Sequence, residues 1–352
     1  QVQVLAKFRF TSTNENMKVN KMQLLVVPSS SATATSAASA DEVPTVKLYD
    51  GATQVGATGG YPVTGSGDDS GTAFFTDLNW TISKDTSKTL TVKGVLNTTA
   101  GGADTGASVY TSVMAAGFEA AGSTALDTTL TAATGNQKVV YKTKPTFGAV
   151  AAGSSKLTAG LIPTLKFKIK ADSAEQVAWR QIQFKTTVTA ASITAVDANP
   201  GQTGNVYIKK VGASSNLNIA SAFSSTSTST GEQAGLGNAS GQTGYVSLLL
   251  NAEEVITAGA EQEYELGLTF SGISSTVGAS TVVINLHRTE TTMVNATTVA
   301  NVRTSLGTAS DAAPSFVWSD YSNTSHSEST NDWANSVLVK GLPTSPVTLS
   351  NN

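Results

Sequence analysis

From Leu165 to Val188 apolar and polar residues alternate in two arms separated by a polar break. Leu165, Phe167 and Ile169 take every second place in the first arm; Val177, Ile182 and Phe184 follow Asp172–Gln176 in the second. A period of two marks a strand with one face in a core, so the stretch reads as a hairpin of two half-buried antiparallel strands. The chain carries the same pattern once before. Over Leu5–Val27, Phe8 falls on Phe167 and Phe10 on Ile169 at an offset of 159 residues, and Met22 falls on Ile182 and Leu24 on Phe184 at an offset of 160.

The likeness continues in the same order along the chain. Val46-Lys-Leu falls on Val206-Tyr-Ile at an offset of 160, Thr81–Val92 on Val255–Leu266 at 174, and Gly106-Ala-Ser on Gly278-Ala-Ser at 172. The offset grows where Gly212–Gly244 is longer than Gly51–Thr72. Colinear matches at a nearly constant offset indicate an internal duplication.

Further strands are expected at Thr45–Tyr49 (closed by the turn Asp50-Gly51), Ala73–Leu78, Trp80–Ile82, Thr89–Leu96, Ala107–Met114, Lys138–Tyr141, Pro145–Val150 and Asn205–Ile208. Others follow at Gly244–Leu250, Val255–Ile256, Glu263–Phe270, Ser280–His287, Ser336–Lys340 and Val347–Leu349, with one short helical turn at Ala115–Ala121. Ser29–Ala40, Gly56–Gly71, Asn97–Gly106 and Gly212–Gly244 read as loops on composition. Short strands with Gly/Thr turns favour stacked antiparallel sheets over a parallel α/β sheet. The expectation is an all-β chain of two homologous antiparallel β-sandwich domains in tandem, Ig-like or jelly-roll-like. Domain 1 spans 1–122, a linker 123–143, and domain 2 spans 144–352 with a C-terminal extension over 290–352.

The two copies differ at one place that bears on function. Phe147 and Val150 supply a strand ahead of the second hairpin, and the equivalent position for the first hairpin falls before Gln1. A sandwich lacking one strand leaves an unpaired backbone edge and an open apolar groove, which proteins rarely leave bare. A neighbouring copy could fill it by strand addition, stringing subunits head to tail. The candidate residues are Val2, Val4, Phe8 and Phe10 at the N-terminal end and Val337, Val339, Val347 and Leu349 at the C-terminal end. An ordinary edge strand, or a strand borrowed from Lys138–Tyr141, is the alternative.

Composition narrows the classes. At 352 residues, two domains of ~150 residues each fit. Charged residues are 13%, about half the ~25% usual in globular chains, and net charge is −3, so no overall basic field favours nucleic acid or an anionic membrane. No cysteine is present, which removes disulfides and thiolate metal sites. The chain begins at Gln1, consistent with a removed signal peptide, and no run approaches 18 apolar residues, so no transmembrane segment is expected.

Candidate chemistry is sparse. His287 and His326 have no histidine or cysteine at helical spacing, which argues against a histidine metal site. No Gly-x-Ser-x-Gly elbow, dinucleotide fingerprint or phosphate-binding loop occurs. The acid pairs Asp41-Glu42, Asp68-Asp69 and Glu253-Glu254 are adjacent in sequence rather than spaced for two carboxylates across a cleft. Asp68 and Asp69, in a Gly-rich loop, are the calcium candidates, with solvated acids as the plainer reading; otherwise no cofactor is expected. Trp318, Tyr321 and Trp333 are either a sugar-stacking platform or core residues. Asn79, Asn97, Asn238, Asn295 and Asn323 head glycosylation-type triplets, frequent by chance in so Ser/Thr-rich a chain.

Lys-Phe-Arg-Phe-Thr-Ser-Thr-Asn-Glu, Lys-Phe-Lys-Ile-Lys-Ala-Asp-Ser-Ala and the closing Phe-Val-Trp-Ser-Asp-Tyr-Ser and Asp-Trp-Ala-Asn-Ser-Val-Leu-Val-Lys-Gly-Leu-Pro-Thr resemble the repetitive secreted surface proteins of candidate-phyla bacteria. The first segment is also similar to TasA-like matrix-fibre subunits, which implies polymerisation by donated strands. Both resemblances imply an extracellular or cell-surface location and carry no catalytic residue. Pattern and resemblance together lead to a non-enzymatic, self-assembling subunit of an extracellular filament. A surface-layer lattice protein and a carbohydrate-binding adhesin, with surface glycans as partners of Trp318, Tyr321 and Trp333, are the alternatives.

Overall fold

The computed structural model describes residues 2–27, 41–64, 71–122, 126–127, 130–154, 156–194, 204–226, 236–237, 241–288, 290, 314–323, 325–330 and 332–352. The chain divides into two compact units, Gln1–Tyr141 and Lys142–Asn352. Among the described residues there is no α-helix, only one 3-10 turn at Thr99–Gly101, and no helix is long and apolar enough to cross a membrane.

The strands of the first unit are β1 (Val2–Ser12), β2 (Met17–Val27), β3 (Thr45–Asp50), β4 (Thr53–Val55), β5 (Tyr61–Pro62), β6 (Gly71–Phe75), β7 (Trp80–Ile82), β8 (Thr86–Val95), β9 (Ser108–Ala121), β10 (Leu126–Asp127), β11 (Ala133–Thr134) and β12 (Lys138–Val139). One antiparallel sheet runs β1-β8-β3-β4 with β5 on β3. The other runs β10-β9-β2-β6, with β7 on β2 and β11 and β12 on β9. Alternation decides which residues meet between the sheets. Phe8, Phe10, Leu48, Leu90 and Val92 point in from one sheet, and Val19, Met22, Leu24, Phe75 and Val113 from the other. Leu24, Leu48, Leu90 and Val92 have no exposed surface, each burial contributing roughly 2 kcal/mol. Gly51, at φ +59°, supplies the positive φ that the first position of the tight β3–β4 turn requires.

The second unit holds β13 (Pro145–Phe147), β14 (Ala151–Ala152), β15 (Gly160–Ala171), β16 (Val177–Thr189), β17 (Ser192–Ile193), β18 (Val206–Lys210), β19 (Ile219–Thr226), β20 (Leu236–Gly237), β21 (Gln242–Ile256), β22 (Glu261–Ser271), β23 (Thr281–Leu286), β24 (Phe316–Ser319), β25 (Trp333–Ala334) and β26 (Val347–Ser350). Its sheets run β13-β15-β22-β17-β20, with β14 on β15 and β18 on β22, and β19-β21-β16-β23-β26, with β24 on β16 and β25 on β24. Between them Trp179 stands edge-on to Tyr264 (centroids 5.4 Å apart, 89°), and Phe147 meets Phe316 at 4.9 Å and 79°. Such edge-to-face pairs add to the area each ring buries.

The all-β class stands, and the duplication extends to register. β1 pairs β8 with a bulge between Val4 and Ala6, and β15 pairs β22 with a bulge between Pro163 and Leu165, the same place 159 residues on. The hairpin does not stand. β1 bonds to β8 while β2 bonds to β6, β7 and β9, so the two arms belong to opposite sheets; β15 and β16 separate likewise. Each arm faces the other's apolar side across the core, whereas a hairpin would place both in one sheet.

Several local expectations change. Ala115–Ala121 is strand, not helix: β9 bulges between Met114 and Glu119, with Gly117 at φ +74°, and both flanks pair with β2. Cross-strand pairing there overrides alanine's helical preference. The stretch expected as linker supplies β10, β11 and β12 to β9. Within the expected loop Gly212–Gly244, Ile219–Thr226 forms β19 against β21. Ser336–Lys340 is a turn rather than a strand, ending in a bridge from Lys340 to Thr146.

Candidate assembly edge

In the second unit β15 is covered on both sides. β22 pairs one side; on the other, Pro145, Thr146 and Phe147 pair Ala171, Lys170 and Ile169, and Ala151 and Ala152 pair Lys166 and Leu165. In the first unit β8 pairs one side of β1, and among the described residues no strand pairs the other. By the offset of 159 the bare stretch is Ala6–Ser12, the counterpart of what β13 and β14 cover.

Beneath that edge the core is closed, which corrects the expectation of an open groove. Phe8 and Phe10 are 6% and 7% exposed. Phe10 lies edge-on to Trp80 (5.4 Å, 86°) and stacked on Phe118 (6.4 Å, 12°), which lies within the β9 bulge. Before the β1 bulge, Val2 and Val4 turn to the outer face and are 51% and 43% exposed. An addition here would be backbone pairing along an edge, not insertion of side chains between sheets.

The C-terminal candidates are held within their own unit. Val347–Ser350 pairs Ile284–Thr281 of β23, and Leu349 is buried. Asn351 locks the end: Ser280 N–H donates to its Oδ1 at 2.9 Å, and its Nδ2 donates to the Ser274 and Thr276 carbonyls at 2.8 and 2.9 Å. Val339 is buried, and Val337 and Val347 are half-buried. A different edge lies at β19, outermost in its sheet among the described residues and reading Ile-Ala-Ser-Ala-Phe-Ser-Ser-Thr without charge or proline.

The densest polar cluster surrounds His326. Its Nδ1 lies 2.8 Å from Asp332 Oδ2 and its Nε2 2.7 Å from Glu253 Oε2, and Tyr321 donates to Glu253 Oε1. Tyr321 and Trp333 flank the ring at 4.0 and 5.3 Å. Burial, then the bond to Glu253, pushes the Tyr321 phenol up, so it remains a donor. Ser319 donates to the same Asp332 oxygen at 3.1 Å and lies 3.5 Å from Nδ1. A Ser-His-Asp relay needs serine on one imidazole nitrogen and the acid on the other. Here Asp332 occupies Nδ1 at 2.8 Å and Ser319 donates to Asp332 rather than to the imidazole, so the cluster fastens Tyr321, His326 and Asp332 to Glu253 of β21. Its signal was invisible in sequence because Glu253 and His326 are far apart along the chain.

The remaining candidates place plainly. Trp318 and Trp333 are 1% and 2% exposed, with indole N–H groups donating to Asn335 O and Ser327 O. They are core residues and offer no platform to a sugar. Asp68 and Asp69 lie outside the described residues. Among the described residues no group of three or more His, Cys, Asp or Glu is arranged for a metal.

No family model matches the chain, and no curated protein does. Among solved structures, the three-domain T6 backbone pilin of Streptococcus pyogenes serotype M6 aligns at 9% identity over 97% of this chain and 64% of the pilin's length, with a TM-score of 0.17. A protein described as membrane anchored, from Corynebacterium diphtheriae, aligns at 7% identity over 98% of this chain and 86% of its own, also at 0.17. An amphioxus IgVJ-C2 molecule aligns at 12% identity over 81% and 91%, at 0.11. At such TM-scores the architecture rests on the strand topology alone.

Proposed function

We propose that the chain is a non-enzymatic structural subunit of an extracellular, cell-surface fibre, assembled by strand addition between copies. One observation carries the reading: the outer edge of β1 is bare over Ala6–Ser12 among the described residues, where β13 and β14 cover the duplicate strand β15. The closed core beneath it makes the occupant a paired strand and not a plug. Pairing of two β1 edges would be two-fold and would close as a dimer, so a fibre needs a second, different edge. The uncharged edge of β19 supplies it, since an unguarded edge strand is a template for another chain. A β1–β19 contact repeated from copy to copy grows head to tail.

Electron microscopy and sizing of the purified protein test this. The wild type should form long uniform fibres. Substituting Ser221→Lys, a charge on the β19 edge, should leave short oligomers or monomers with unchanged circular dichroism. Flat sheets would indicate a surface lattice instead. Fibres unaffected by this change, or monomers of wild type at high concentration, would overturn the reading.

A further inference from the structure

The outer face of the β1-β8-β3 sheet carries four cations and, among the described residues of these strands, no carboxylate. Residues directly opposite in antiparallel register share a face, so the rows across β1, β8 and β3 can be named. They are Val2, Val95 and Thr45; Val4, Lys93 and Lys47; Lys7, Thr91 and Tyr49; Arg9 and Thr89; and Thr11 and Ser87. Lys7 and Arg9 are exposed, and Lys47 and Lys93 are half-exposed. The Lys93 ammonium rests 3.8 Å above the Tyr49 ring. Lys47 and Lys93 stand directly opposite each other, a like-charge pairing that destabilises a sheet unless an anion lies between them.

The second unit holds the neutralised version of this face. There Lys166, Lys168 and Lys170 of β15 stand opposite Glu265, Glu263 and Glu261 of β22. Lys166 and Lys209 reach Glu265 at 3.5 and 3.1 Å, and Lys168 reaches Glu261 at 3.0 Å. Burial alone would push the Glu265 carboxyl up, but its bonds from Tyr207 and Lys209 outweigh that and hold it below the usual range. The register-matched residues of the first unit are Lys7, Arg9 and Thr11 opposite Thr91, Thr89 and Ser87. Each glutamate of the ladder is replaced by a hydroxyl residue, while two of the three cations remain.

We infer that this face binds an anionic polysaccharide, a linear glycan bearing sugar carboxylates. Cations on alternate positions of β1 are spaced about 7 Å apart and those on neighbouring strands about 5 Å, a grid that meets repeated charges along a chain. The hydroxyls of Thr89, Thr91, Thr11 and Ser87 can donate to and accept from sugar hydroxyls between the charges. Single-stranded nucleic acid fits less well, because it needs exposed aromatic faces for its bases, and the one aromatic ring here, Tyr49, lies under Lys93. The face is perpendicular to the β1 edge, so glycan and neighbouring strand can be held together, and the inference does not depend on fibre formation.

Full-length protein passed over immobilised polygalacturonate, neutral dextran and a single-stranded oligonucleotide provides the test. The wild type should be retained by polygalacturonate alone and released as salt rises, as neutralised polyanions are. Thr89→Glu/Thr91→Glu, which restores the acids of the second unit, should weaken binding about 10-fold or more while fibres, scored separately, stay as in wild type. Because Glu263 and Glu265 already occupy the matching positions, the strand accepts the change; Lys47→Glu/Lys93→Glu, away from the β1 edge, reverses charge on the same face. No retention of wild type, equal retention of the charge-reversed variants, or stronger retention on the oligonucleotide would each overturn the inference.

Discussion

Glu42 is 5% exposed, and its Oε2 has no hydrogen-bond partner among the described residues. Burial raises its carboxyl above the usual carboxylate range; backbone N–H groups of Glu42 and Asp104 oppose the rise, and the Asp104 and Asp41 charges add to it. A carboxyl raised on folding favours the native state fully below its unfolded value, and that contribution is lost as pH rises through the folded value. At pH 7 the ionised group therefore costs stability. Glu42→Gln is expected to stabilise the first unit by about 1 kcal/mol at pH 7 and by little at pH 4, checked by urea unfolding at both. Nothing in the run Asp41-Glu42-Val43 distinguishes Glu42 from a solvated acid; its burial comes from the loop around Asp104. Trp318 and Trp333 teach the same lesson in reverse, since an aromatic-rich segment looks alike in sequence whether it forms a platform or a core.

At the scale of elements, alternation located most strands and could not assign their partners. Leu165, Phe167 and Ile169 mark a strand correctly, yet the partner of β15 is β22, nearly a hundred residues on, and not the adjacent β16. A polar break of five residues serves a hairpin or a crossing between sheets equally well. The C-terminal strand shows how strongly such non-local pairing holds. Asn351 is 8% exposed and satisfies one N–H and two carbonyls of the Ser274–Ser280 loop. Asn351→Ala should destabilise the second unit by about 2 kcal/mol, because it strands those groups without partners. A loss below half of that in thermal unfolding would mean that water replaces the side chain. The same tie explains why β26 is a poor strand to donate.

At the scale of the molecule the duplication is the dominant fact. Each unit has two sheets, and the core of the first is built from its own residues, Leu5 to Ala120. The fragment 142–352 is therefore expected to fold by itself, keeping the near-ultraviolet dichroism of Trp179, Trp318 and Trp333. A fragment without that signal would show that the second unit needs the first. The units diverge on the face and edge of their matched strands. Beside β15 lie β13, β14 and a glutamate ladder; beside β1, among the described residues, lie a bare edge and Ser or Thr rungs. Duplicated units can diverge in face and edge while each keeps its own core.

The sequence alone determined the all-β class, the duplication and most strand positions, because period-two burial and repeated apolar spacing are local properties written residue by residue. It also located one place where the copies differ, the strand ahead of β15. Which sheet each strand joins, the closed core beneath β1, the capture of Val347–Ser350 by β23 and the His326 cluster were decided by tertiary structure. Each depends on residues far apart in the chain meeting across a sheet or a core, and no local pattern encodes that meeting. The bare edge of β1 therefore survives from the sequence in a sharper form: a backbone edge on a finished sandwich, beside a face of uncompensated cations.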